Sequence, residues 1–67
     1  MKNRLKELRS RKKYTQTDLS EKTGISRQTI SLIERDKFTP SILIAIKISR
    51  IFNEQVENVF IIEKQDL

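Results

Sequence analysis

Thr23-Gly24-Ile25-Ser26-Arg27-Gln28-Thr29-Ile30-Ser31-Leu32-Ile33-Glu34 reads as a turn followed by a short helix with two opposed faces. At about 100° per residue, Ile30, Ile33 and Glu34 fall on one side, and Gln28, Ser31, Leu32 and Arg35 on the other. The first side is suited to docking. The second carries short polar groups, one apolar tip and a cation, which suits reading the edge of another molecule.

Upstream, Thr15-Gln16-Thr17-Asp18 places an acidic residue three positions after a Thr, a capping-box pattern that starts a helix. That helix runs to about Thr23, and Gly24 stands where a left-handed residue ends it. Ile25 returns to the core and Ser26 caps the next helix. Helix, short Gly-containing turn and helix over about residues 16–35 is the spacing of a helix-turn-helix, whose second helix enters the DNA major groove. Before it, residues 2–13 read as a first helix with Leu5, Leu8 and Arg9 on one face. Arg9 stands relative to Leu5 and Leu8 as Glu34 stands relative to Ile30 and Ile33. A guanidinium fork matches a carboxylate, so an Arg9–Glu34 pair is expected at the core margin; the alternative is that Arg9 reaches water along its stem. Tyr14 closes the core beside the turn that follows.

Downstream, Lys37, Phe38 and Thr39 form a loop, Pro40 holds Thr39 extended, and Ser41 caps a fourth helix to about Asn53. That helix is apolar on two sides: Ile42, Ala45, Ile46, Ser49 and Phe52 on one, Ile44, Ile48 and Ile51 on the other. It is therefore either the central helix of the core or half covered by a partner. A last short helix spans about 55–59, and Phe60-Ile61-Ile62 is the strand-like run of the chain.

Together these features resemble the Cro/CI-type (Xre) family of helix-turn-helix regulators, with a lambda-repressor-like fold. The residues that carry the likeness are Thr15-Gln16, Leu19, Gly24 to Ile30, Ile33-Glu34, Lys37, Pro40-Ser41 and Ala45 to Ile48. The resemblance covers almost the whole chain and implies an all-α, compact bundle of five short helices. It also implies a stand-alone dimeric regulator of transcription, a repressor, that binds a palindromic double-stranded DNA operator in the cytoplasm. Gln16, Thr29, Lys37 and Thr39 match positions that touch or flank the sugar-phosphate backbone, and Ser26 opens the reading helix, where anions are favoured. In small members the tail, residues 60–67, pairs as a strand supporting a tight dimer, which puts Val56, Val59 and Ile61 at the interface; a tail folded over the core would look the same. The chain departs from the family pattern at Thr23, at Arg35-Asp36 and at Glu54-Gln55.

Base readout is expected from Arg27, Gln28, Ser31 and Leu32. Arg matches guanine O6/N7, Gln matches adenine N6/N7, and an apolar tip meets a thymine methyl. Arg35, at the helix end, is expected at a phosphate or on the surface.

Composition agrees with this reading. Residues 1–37 hold 11 Lys/Arg against 5 Asp/Glu, a balance of +6; residues 38–67 hold 3 against 4, a balance of −1; the net charge is +5. A basic half suits a polyanion, although a basic helix can also be a plain solvated face. With no Cys or His there is no disulfide, and no metal site or other cofactor is expected. Sixty-seven residues make one domain, 1–67, too small for the deep pocket of an enzyme or a small-molecule ligand. No apolar run suffices to span a membrane, and the charged N-terminus has no signal core. The competing reading is a protein-interaction module, such as an antitoxin or phage-type accessory protein, with DNA binding secondary.

Overall fold

The computed structural model describes all residues, 1–67. Five helices form the bundle: α1 (Leu5–Arg11), α2 (Gln16–Thr23), α3 (Arg27–Glu34), α4 (Ile42–Ile51) and α5 (Val56–Val59). Two short strands, β1 (Lys2–Asn3) and β2 (Phe60–Ile61), join the ends of the chain, and a single 3-10 turn covers Lys64–Asp66. The core takes Leu5 and Leu8 from α1, Leu19 from α2, Ile30 and Ile33 from α3, and Ala45 and Ile48 from α4. Ile25, Phe52, Val59 and Phe60 complete it.

Local chemistry fixes the helix-turn-helix. The Thr15 hydroxyl accepts from the Asp18 N–H at 3.0 Å, while the Thr15 N–H donates to the Asp18 carboxylate at 2.9 Å, so both halves of the capping box form. Gly24 lies at φ 74° and its N–H donates to the Ser20 carbonyl at 2.8 Å. The Ser20 hydroxyl in turn donates to the Ile25 carbonyl at 2.6 Å. Thr23, which departs from the family's apolar preference, is buried here. Its hydroxyl donates to the Leu19 carbonyl at 2.8 Å and accepts from the Ile25 N–H at 3.2 Å. A buried hydroxyl satisfied on both sides avoids the desolvation penalty of an unpaired group and stitches the end of α2 to the turn.

The other three long helices end alike. Tyr14 N donates to Arg9 O, Lys37 N to Leu32 O and Glu54 N to Ser49 O, each after a residue at positive φ: Lys13 (59°), Asp36 (59°) and Asn53 (54°). These are Schellman closures without glycine. Asp and Asn tolerate the left-handed region better than most residues, and Lys13 is the poorest fit of the three.

The chain ends correct the sequence reading. The first helix starts at Leu5, not at residue 2, because Lys2 pairs with Ile61 and Asn3 with Phe60 in an antiparallel ladder. The Asn3 side-chain oxygen accepts from the Leu5 N–H at 3.1 Å and so opens α1 from two residues back. The tail is both a strand and part of the core: its partner is the chain's own N-terminal segment, and Phe60 is buried. Val59 is completely buried inside the single chain, which removes its side chain from the interface set; Val56 is half-buried and Ile61 remains exposed. The fourth helix ends at Ile51, two residues before the expected Asn53, because Asn53 has already turned left-handed. The Ser41 hydroxyl caps it through the Ile44 N–H at 3.3 Å. Buried Ala45, Ile48, Ser49 and Phe52 place α4 in the core by one face. Helix α5 is only four residues long, and Gln55 just before it gives no side-chain cap, as the departure at Glu54-Gln55 implies. No helix is long and apolar enough to cross a membrane.

Candidate nucleic-acid interface

Helix α3 divides as its periodicity demands. Ile30 and Ile33 are fully buried, while Arg27 and Gln28 are exposed. Ser31 is half-buried. Leu32 is half-buried as well, so part of its surface packs against the fold and part remains outside. The Arg35 guanidinium reaches back to the Ser31 carbonyl (3.4 Å), which lays it along the outer face of the helix.

The start of α3 is built by two hydroxyls. Ser26 accepts from the Thr29 N–H at 3.1 Å, and the Ser26 and Thr29 hydroxyls are bonded at 2.9 Å. The first-turn N–H groups of α2 and α3 have no partners within their helices, and helix N-termini favour anions. Ser26, Lys37 and Thr39 are exposed and Thr29 half-buried. Gln16 is half-buried, and its side-chain amide donates to Glu34 at 3.2 Å. An amide NH2 has two donors, so that bond leaves one free, alongside the Gln16 backbone N–H at the start of α2.

The far end of α3 is locked. Arg9 meets Glu34 through two parallel bonds, Nε to Oε2 at 2.7 Å and Nη2 to Oε1 at 3.2 Å. Arg9 Nη1 donates to the Tyr14 carbonyl at 2.9 Å. The Glu34 side chain is 5% exposed and that of Arg9 15%, so the pair sits inside the core margin rather than in water. No buried side-chain polar atom in the chain lacks a hydrogen bond.

Two features of this region carry no strong sequence signal. The Asn3 side-chain amide donates to the Ile33 carbonyl at 2.8 Å, fastening the end of α3 to the N-terminal strand. The Met1 amino group pairs with Asp36 just beyond it. The only cue to Asn3 is an Asn two residues ahead of an apolar helical face. Phe38 is 44% exposed in the loop between Lys37 and Thr39.

Electrostatics reinforce the scaffold rather than a reaction. The Thr15 backbone N–H, helped by its hydroxyl, holds the Asp18 carboxyl below the usual carboxylate range. Arg4 does the same for Glu7 on α1. The chain contains no cluster of acidic residues that could hold a metal ion.

Comparison with known proteins agrees with this geometry. A helix-turn-helix family model matches residues 5–58. The chain is 44% identical over 66 residues to an HTH-type transcriptional regulator of Bacillus subtilis, covering 98% of this chain and 100% of that protein. It is 46% identical over 66 residues to one of Methanocaldococcus jannaschii, with the same coverage. A third, from Archaeoglobus fulgidus, is 39% identical over 67 residues, covering 100% of this chain and 94% of the relative. Capped reading helix, buried docking face and match across the whole bundle lead to one conclusion: the chain belongs to the Cro/CI-type (Xre) helix-turn-helix family of DNA-binding transcriptional regulators.

Proposed function

We propose that the protein is a homodimeric repressor that recognises a palindromic operator by inserting α3 into the major groove. The observation that carries this is the division of α3 itself. Ile30 and Ile33 are fully buried and Glu34 is clamped by Arg9, while Arg27 and Gln28 project into solvent from the same eight residues. A helix held this firmly can keep its outer side chains in one register against base edges.

In this reading Arg27, Gln28, Ser31 and the outer part of Leu32 contact bases. Gln16, Ser26, Thr29, Lys37 and Thr39 hold the sugar-phosphate backbone and fix the register. One small domain reads few base pairs. A two-fold dimer sets two copies of α3 roughly 34 Å apart, one turn of DNA, and its symmetry demands a palindrome. Val56 and Ile61, the expected interface residues that keep accessible surface, meet their counterparts across the axis. Repression follows from occupancy alone, because a dimer covering an operator excludes other proteins from it.

Selection of bound sequences from random duplex DNA, with the mass of the complex measured by light scattering, tests the proposal. The expected result is a palindromic consensus carried by a complex of two chains per duplex. An asymmetric site bound by one chain would overturn the dimer, and the absence of any consensus would overturn base readout.

A further inference from the structure

Helix α4 is apolar beyond what the core uses. Its inner face buries Ala45, Ile48 and Ser49, yet Ile42 and Leu43 are each 74% exposed at the other end of the helix. A groove of about 310 Å³ opens along its outer side, lined by Leu43, Ile44, Ile46, Lys47 and Arg50. Three apolar side chains and two cations line it, and the lining includes no carboxylate. The six ion pairs of the chain include neither Lys47 nor Arg50. Residues 38–67 hold only three cations, Lys47, Arg50 and Lys64, in an otherwise slightly acidic half. Two of the three stand at this groove.

We propose that this groove docks a short acidic segment of another protein, anchored by one or two bulky apolar side chains. Apolar anchors bury the exposed surface of Leu43 and Ile46, and carboxylates beside them meet Lys47 and Arg50. Opposite charges at the rim of an apolar contact fix its register and hasten encounter. The volume is at the low end of ligand pockets, which fits a few side chains rather than a broad flat partner. A second copy is the poorer occupant. A two-fold contact through the middle of α4 brings the same patch of both chains together, and so gathers two Lys47 and two Arg50 at one contact with no acid in the lining to offset them. The site also adjoins the reading unit, because the Lys47 ammonium lies 3.9 Å from where a side chain on Gly24 would begin. A bound acidic segment therefore places negative charge beside the α2–α3 turn and opposes DNA on the same domain.

The test uses the full chain, 15N-labelled, titrated with the peptide Asp-Asp-Leu-Glu-Asp-Ile-Leu-Glu-Asp and with a control in which every acid is Lys. Saturable amide shifts centred on residues 43–50 are expected with the acidic peptide alone. Lys47→Glu and Leu43→Ser, both at exposed positions, are each expected to weaken binding about tenfold with an unchanged circular dichroism spectrum. Four results would overturn the proposal: no saturable shift, equal binding of both peptides, shifts centred elsewhere, or a dimer that Leu43→Ser dissociates. The last would give the face to a second copy. Loss of duplex DNA binding in Lys47→Glu with peptide binding intact would overturn it too, by giving that cation to the DNA backbone.

Discussion

Truncating Arg9 to Ala tests the joint that aims the reading helix. The change removes three hydrogen bonds at once: two to Glu34, at 2.7 and 3.2 Å, and one to the Tyr14 carbonyl at 2.9 Å. It leaves the Glu34 carboxylate, 5% exposed, with the Gln16 amide at 3.2 Å as its remaining partner. An orphaned buried charge of this kind costs about 3–5 kcal/mol, whereas an exposed pair would cost about 1 kcal/mol or less. A domain of this length has roughly 3–10 kcal/mol of stability in total. At about 2.1 cal/mol/K per residue, its unfolding entropy is roughly 0.14 kcal/mol/K, so the expected fall in Tm is about 20–35 °C. Arg9→Ala is thus predicted to lose about a third or more of the domain's stability. The assay is urea denaturation followed by circular dichroism at fixed temperature.

Loss of fold alone would not separate an orphaned charge from lost packing, so the double variant Arg9→Leu, Glu34→Leu belongs in the same experiment. Replacing both members of a buried pair by apolar groups is often neutral or stabilising. The double variant is therefore predicted to be more stable than either single, Arg9→Leu or Glu34→Leu, with a coupling energy of about 0.5–3 kcal/mol across that cycle. An Arg9→Ala protein within about 1 kcal/mol of the parent would refute the reasoning. So would a double variant as unstable as the sum of its singles.

The remaining predictions concern the DNA face and two local devices. Gln28→Ala is expected to cost about 1–3 kcal/mol on the selected operator and far less on random duplex, while Lys37→Ala weakens both alike and lowers the salt slope by about one unit; competition binding at several salt concentrations distinguishes them. Equal losses for Gln28→Ala on the two DNAs, or an unchanged slope for Lys37→Ala, would contradict those roles. Lys13→Gly relieves a left-handed lysine at the end of α1 and is expected to raise stability by about 0.5–1 kcal/mol, read from the urea midpoint; a loss would show that the lysine stem matters more than its φ. The Asp18 carboxyl is held below its ordinary value by Thr15, so its stabilisation is complete above the unfolded carboxylate pKa of about 4 and is lost as pH falls through the folded value. Asp18→Asn should flatten the Tm–pH curve in that acidic window, and an unaltered curve would remove Asp18 from the linkage.

What the sequence makes legible here is what is decided within four residues. Thr15 with Asp18, Gly24, and the hydroxyls of Ser26 and Ser41 each act on a neighbour close along the chain, and each forms as read. The Arg9–Glu34 pair lies 25 residues apart, and it is legible because each residue interrupts an apolar stripe at the same relative position on its helix. The larger misreadings lie where distant backbone meets. Lys2 and Asn3 have helical neighbours and no strand pattern, yet they pair with Ile61 and Phe60, because an edge strand needs only a complementary edge and not an alternating sequence. The resemblance puts Val59 at a dimer interface, whereas closing that ladder brings the Arg4 N–H onto the Val59 carbonyl at 2.8 Å, and the side chain is buried within the single chain.

The aim of the reading helix depends on both kinds of information. Its start is set locally by Ser26 and Thr29, and Ile30 and Ile33 fix which way it faces. Its end is held by Arg9 from one side and by the Asn3 amide on the Ile33 carbonyl from the other, 25 and 30 residues away. A helix pinned at one end can swing; a helix pinned at both ends presents Arg27, Gln28, Ser31 and Leu32 at a fixed angle. Because Asn3 belongs to the two-stranded ladder, that angle is coupled to the tail strand Phe60–Ile61, the segment carrying the exposed Ile61 assigned to the dimer contact. If that contact holds, a shift of the tail is transmitted through β1 to the end of α3. The spacing of two reading helices and the tilt of each are then one mechanical property rather than two.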